Sequence, residues 1–286
     1  MKRFWLPAIA ITMAISNGFS QDVEAISLYD GTANQTPNEQ AAAIRSEAIT
    51  STSIPVLPDE TVVLGVGVLL NTASNNAEYS GYSNYDPVSS SFHKPSIFNT
   101  NTLNRITGYS ITFKLRLDTV TNEVDNTNPR AVFSAIAISS DLMGVEIGFR
   151  LGEIFVQSSG FTSEANSAAF TTTSLKEYKL TVLGSNYALE EVTAPATFAP
   201  ILNGSLVTYS FNRFTSNPPL PFDPYATGSF IFFGDNTGEA KGVFTLGDVD
   251  FTPIPFDFAP TGGIIALGAI AGLRFLAARM RDKSSK

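Results

Sequence analysis

The sequence predicts an all-β chain built as two stacked antiparallel sheets, and three stretches predict it. Across residues 109–117 every odd position is apolar and every even one polar. That alternation sets Tyr109, Ile111, Phe113, Leu115 and Leu117 on one face of a strand. Residues 131–138 form a nearly unbroken apolar run, the pattern of a strand covered on both faces. Val145, Ile147, Phe149 and Leu151 alternate with Glu146 and Arg150, and Gly152-Glu153 then makes a two-residue turn into residues 154–156. Residues 109–157 therefore read as three or four antiparallel strands in a row. Their apolar faces need a second sheet to keep them dry.

Taken in order, residues 1–20 carry the three parts of a secretory signal. Lys2 and Arg3 open it, residues 4–15 are apolar, and Gly18 and Ser20 are the small residues before a cleavage point ahead of Gln21. The other reading is an uncleaved anchor, for which the run is short. The sandwich is expected over residues 21–252. Residues 28–38 are rich in turn formers, with Asp30-Gly31 the strongest. Residues 40–48 read as a weak helix or an exposed loop. Residues 61–70 read as one apolar strand, too short to span a membrane. Residues 72–104 are polar, aromatic and irregular, and residues 161–173 are a loop leading into a short strand.

Tyr178, Leu180 and Val182 then alternate with Lys179 and Thr181, and Gly184-Ser185-Asn186 turns the chain into Tyr187 and Leu189. Residues 190–200 read as an irregular insertion. Asn203-Gly204 is a tight-turn pair before a strand over 206–211. A proline-rich loop over 218–227 precedes the last two strands, 230–233 and 243–251. No repeat recurs at a fixed period, which argues against a solenoid or propeller.

Residues 253–286 end the chain in a second tripartite pattern. A proline-bounded spacer contains Pro255, Phe256 and Asp257. Residues 261–273 are apolar and small, and Arg274, Arg279, Arg281, Lys283 and Lys286 follow. The 13-residue run falls short of the roughly 20 needed to span. Residues 256–259 and a snorkelling Arg274 extend it, and the basic close would stay cytoplasmic. An N-terminal signal helix and a C-terminal membrane helix are thus expected beside the sandwich.

Composition narrows the chemistry. The chain has no cysteine, which removes disulfides, thiolate metal sites and cysteine nucleophiles, and a single histidine, His93, which argues against triads and multi-histidine metal sites. Residues 21–260 hold eleven of the 18 basic residues and 25 of the 26 acids, a net charge of −14. So acidic a body argues against nucleic acid as a partner. Asp118, Asn122, Glu123, Asp125, Asn126 and Asn128 make an oxygen-rich loop of the kind calcium uses; Asp118, Glu123 and Asp125 are the candidate ligands. The spacing is not that of an EF-hand, and a solvated turn is the alternative. Tyr79, Tyr82 and Tyr85 could stack on sugar rings or cap the core from a rim loop, and Asp235 and Asn236 could add polar contacts.

The tail resembles bacterial sorting signals of the PEP-CTERM type, with Pro255-Phe256-Asp257 nearest the Pro-Phe-Glu variant although Asp replaces Glu. This resemblance implies surface anchoring, with a sorting protease as a processing partner. Residues 128–134, 139–149, 153–157, 178–184, 223–225 and 230–236, with the opening Tyr29-Asp30-Gly31-Thr32, are together similar to bacterial choice-of-anchor surface domains of the Y type, which are mostly cyanobacterial. That resemblance covers residues 28–251 and implies a jelly-roll, concanavalin-like or laminin-G-like sandwich. It implies no defined activity.

Glycoside hydrolases on such folds set paired carboxylates on one face. Glu146 has Gly148 two residues on, and Asp248 and Asp250 have the right offset but lie on a strand end. Nucleophile-elbow, phosphate-loop and metal-helix motifs are absent. The expectation is therefore a non-enzyme: an exported, membrane-anchored protein whose lectin-like sandwich binds extracellular polysaccharide or matrix. The alternative is an adhesive protein binding other surface proteins, favoured if Lys114, Arg116, Glu146 and Arg150 share one charged face. A glycoside hydrolase is the remote alternative. No cofactor is expected beyond calcium.

Overall fold

The computed structural model describes residues 24–254, apart from 51–55, 74–76, 122–130, 211–221 and 238–239. The signal segment, Glu123 and Asp125, the Pro255-Phe256-Asp257 motif, and Arg274, Arg279 and Arg281 lie outside the described residues. Among the described residues no helix is long and apolar enough to cross a membrane.

The strands are β1 (Ile26–Tyr29), β2 (Arg45–Thr50), β3 (Glu60–Val63), β4 (Gly67–Asn71), β5 (Ala77–Ser83), β6 (Tyr85–Asp86), β7 (Ser91–Phe92), β8 (Tyr109–Thr121) and β9 (Phe133–Ile138). They continue as β10 (Gly144–Phe149), β11 (Glu153–Gln157), β12 (Glu164–Ala169), β13 (Lys176–Leu183), β14 (Asn186–Ala194), β15 (Thr197–Ser205), β16 (Phe230–Asp235) and β17 (Lys241–Pro253). Two short 3-10 turns, Gly31–Ala33 and Pro224–Ala226, are each capped by a preceding aspartate, Asp30 or Asp223.

One eight-stranded sheet runs β15-β14-β13-β8-β17-β4-β3, with β1 also paired to β17. A seven-stranded sheet runs β12-β11-β10-β9-β16-β5-β2, and β6 and β7 form a separate hairpin. Every pairing is antiparallel among the described residues. The core between the sheets takes Phe113, Leu115, Tyr178 and Phe244 from one side and Phe133, Phe149 and Phe233 from the other. The rings of Phe113 and Phe233 meet at 5.1 Å and those of Phe133 and Phe244 at 4.9 Å.

The alternation of residues 109–117 survives as alternating burial along β8. Strands β9, β10 and β16 are buried at every position, because the outer face of their sheet is also covered. Tyr209, Phe222 and Tyr225 lie over that face, against Ile136, Ile138, Phe230 and Phe232.

The structure departs from the sequence-based expectations in several places. β8 does not pair with β9: it lies between β13 and β17 in the larger sheet, while β9 lies between β10 and β16 in the other. Lys114 and Arg116 therefore belong to one sheet and Glu146 and Arg150 to the other, so the shared charged face is not formed. Residues 61–70 split into β3 and β4, because Gly65 at φ 68° turns the chain. Residues 40–48 end in an edge strand, β2, which gains its ladder from β5. Residues 190–200 are paired strand, closing the β14–β15 hairpin. Asn203 and Gly204 lie inside β15, opposite Ala188 and Tyr187, and no hairpin turn forms there.

Gly67 shows how closely the strands approach. A Cβ there would lie 2.0 Å from the Leu246 carbonyl oxygen, at a backbone φ of 155°. Opposite it, β17 bulges between Leu246 and Val249, which keeps both side chains directed inward. The bulge residue Asp248 accepts from the Gly31 N–H at 2.8 Å and from Lys114 Nζ at 2.7 Å, pinning the N-terminal segment to the last strand.

Candidate functional site

The outer face of the seven-stranded sheet carries a buried polar cluster centred on Glu146. Its strand mates Val145 and Ile147 face the core, so the period of two turns Glu146 outward. Yet Glu146 is only 2% exposed. Its Oε1 accepts from Ser134 Oγ at 2.9 Å, and its Oε2 accepts from the Tyr225 hydroxyl at 2.6 Å. Asn236 Nδ2 donates to the Tyr225 oxygen at 2.8 Å and reaches Glu146 Oε1 at 3.4 Å. The backbone N–H of Glu146 donates to the Tyr209 hydroxyl at 2.6 Å. Satisfaction by several donors is what allows a carboxyl group to stay out of water.

Tyr209 links this cluster to a pocket. Its ring packs against Tyr225 at 5.0 Å and Phe161 at 5.1 Å, and its hydroxyl lies 3.5 Å from the Gln157 carbonyl. Burial, and then the charge of Glu146, holds the Tyr209 hydroxyl well above its ordinary pKa, so it stays protonated. Beside it a cavity of about 210 Å³ opens between β12 and β15. Tyr187, Tyr209 and Gln157 are buried in its wall, while Asn166, Asn203 and Ser205 stand exposed at its mouth. Asn166 Nδ2 donates to the Asn203 carbonyl at 3.1 Å, and residues 144 and 207 bridge below. Among the described residues no charged side chain lines this cavity.

Next to the cluster, the Arg150 guanidinium lies 4.3 Å above the Phe155 ring and pairs with Glu153 at 2.7 Å and Glu164 at 2.6 Å. Phe155 in turn lies flat on Gly148, where a Cβ would come within 2.4 Å of the ring.

The sequence candidates fall elsewhere, with one exception. Tyr79 and Tyr82 are fully buried, so neither offers a ring face to a sugar. Tyr79 stacks on Phe232 at 4.4 Å, and the Tyr82 hydroxyl donates to Glu60 at 3.2 Å. Tyr85 is partly buried against Phe92 and Phe222. Tyr79 and Tyr82 pack into the molecule because β5 runs inside the sheet, between β16 and β2. Asp235 is buried at the end of β16; burial pushes its pKa up to about 7 while Lys241 at 3.7 Å pulls it down. Asn236 is the exception, since it belongs to the Glu146 cluster. Asp118 is held by Arg116 at 2.7 Å and Thr245 at 3.0 Å. Among the described residues no group of three or more acidic or histidine side chains could hold a metal ion. Asp248 and Asp250 are not a strand-end pair: they lie within β17, where Asp248 is engaged by Gly31 and Lys114.

Sequence reasoning passed over Tyr187, Tyr209 and Asn166. Only Tyr187 carried a signal, as part of an alternating strand. Asn166 and Tyr209 sit in segments without periodicity.

No family model and no curated protein matches the chain. Solved structures do resemble it in part. A CBM2 module of the Lactobacillus casei BL23 phage J-1 evolved Dit is 10% identical, with 82% of this chain and 99% of that one covered and a TM-score of 0.42. The Ca²⁺-bound exoplasmic/lumenal domain of VIP36 is 6% identical, covering 82% and 92%, with a TM-score of 0.45. Alginate lyase A1-II′, a member of polysaccharide lyase family 7, is 10% identical, covering 74% and 95%, with a TM-score of 0.42. The expectation of a non-enzyme is overturned here: an alginate lyase stands among the matched structures.

Proposed function

We propose that this chain is a carbohydrate-binding surface protein whose uncharged pocket between β12 and β15 takes a neutral sugar. The observation that carries this is the chemistry of the pocket wall. Amides from Asn166, Asn203 and Gln157 both donate and accept, as paired sugar hydroxyls do, and Tyr187 and Tyr209 add ring surface and hydroxyls. Among the described residues a charged ligand finds no counter-charge there. A cavity of about 210 Å³, below the usual range for drug-sized ligands, suits a single sugar unit. In this reading the protein is exported, anchored by its C-terminal segment as the sorting-tail resemblance implies, and presents the sandwich to extracellular polysaccharide.

The test is calorimetric titration of the purified full-length chain with neutral oligosaccharides chosen from a glycan array. Asn166→Ala should weaken binding by about fivefold, the worth of one hydrogen bond. Absence of any neutral glycan ligand, or binding untouched by Asn166→Ala and by Tyr187→Ala alike, refutes the reading. Mass spectrometry of the mature termini after cell fractionation checks export and anchoring separately. The expected result is a chain beginning at Gln21 in the surface fraction.

A further inference from the structure

At the opposite edge of the same sheet, β2 and the β6–β7 hairpin enclose a cavity of about 320 Å³. Its ionisable wall, among the described residues, is Arg45, Glu47, Asp86 and His93, and its apolar wall includes Ile49, Val56 and Val88. Asp86 holds the turn that follows it, accepting from the Val88 N–H at 2.8 Å and from Ser89 Oγ at 2.6 Å. Arg45 Nε donates to the Ala42 carbonyl at 3.4 Å. Glu47 Oε1 accepts from Ser83 Oγ at 3.1 Å and lies 3.2 Å from His93 Nε2. Glu47 Oε2 has no hydrogen-bond partner among the described residues, although the side chain is only 8% exposed.

A buried carboxyl oxygen without a donor is costly, and a ligand that brings a donor recovers that cost. We propose that this cavity binds a primary ammonium group carried on a compact polar body, such as an amino sugar, with Glu47 Oε2 as its acceptor. The charges agree. Once Glu47 is ionised beside Asp86, one positive charge, Arg45, faces two negative ones, and a cationic ligand balances the wall. Without ligand, burial raises the Glu47 pKa and lowers that of His93 to about 4, so the imidazole beside it is neutral at pH 7. Ile49, Val56 and Val88 then cover the carbon skeleton of the ligand.

His93 is the chain's one histidine, so its ring resonances report this site alone. The full-length chain with isotope-labelled histidine would be titrated with glucosamine in an amine-free buffer at pH 7. N-acetylglucosamine, which lacks the cation, serves as control. We expect a saturable shift of the His93 ring with glucosamine and none with the control. Glu47→Gln should weaken the effect by about tenfold or more. Val88→Trp, at a rim position outside the core, should block the cavity while preserving the fold. The proposal is overturned by a missing glucosamine response, by an equal response to N-acetylglucosamine, or by undiminished binding in Val88→Trp.

Discussion

Glu146 and Asp235 are two buried carboxyl groups managed differently. Glu146 is surrounded by donors, so losing one should be felt directly. Tyr225→Phe removes the 2.6 Å donor to Oε2 and is expected to destabilise the fold by about 1–3 kcal/mol, measured by urea unfolding. Asp235 is shifted instead. Its carboxyl loses a proton near 3.8 in the unfolded chain and near 7 in the folded one. Between those values only the folded state holds the proton, so this group's contribution to stability falls as pH rises through that window. The fall is on the order of 4 kcal/mol in total. Asp235→Asn should therefore gain on the parent chain steadily from pH 4 to pH 7 and hold a constant lead above it. Paired thermal melts across that range check this, and a lead that does not change with pH refutes the shift. His93, lowered from 6.5 to about 4, acts in the opposite sense over most of the window but equally in both chains, so it cancels from the difference.

At the scale of elements, close approach of backbone and ring sets the tolerances. Gly148→Ala places a methyl group within 2.4 Å of Phe155, which is itself clamped beneath Arg150. A loss of about 1–3 kcal/mol is expected, read from the shift in denaturation midpoint. Asp248→Ala frees the Gly31 N–H and Lys114. Amide exchange in β1 should then accelerate relative to β13, which shares none of those contacts. Such elements also show what could be read from the sequence. The alternation of Tyr109 to Leu117 was legible because one face of β8 is wet and the other dry. The continuous run into Ile138 was legible because β9 is covered twice. The partners of these strands were not legible, since the pairing of β8 with β17 joins residues 120 or more positions apart. The role of Tyr79 was ambiguous because a tyrosine suits a wet rim and a dry sheet equally, and only the position of β5 decides between them. Asn166, in an edge strand without alternation, and Tyr209 were silent because their roles come from neighbours in space.

For the whole molecule, the described body spans one compact unit, residues 23–255, so a fragment with those limits should fold alone. A single cooperative melt, with the same spectrum as the corresponding part of the full chain, is the expected result. The pairing of first and last strands sets where the chain enters and leaves this body. Ile26 lies opposite Phe251, so both ends emerge side by side on one ladder. β17 is also interior to its sheet, with β8 along one edge and β4 and β1 sharing the other. A pull applied beyond Pro253 runs lengthwise down that strand. It loads rungs on both flanks together in shear, where an edge strand would unzip rung by rung. A body tethered at this end would hold its shape under drag up to the point where the whole strand slides free.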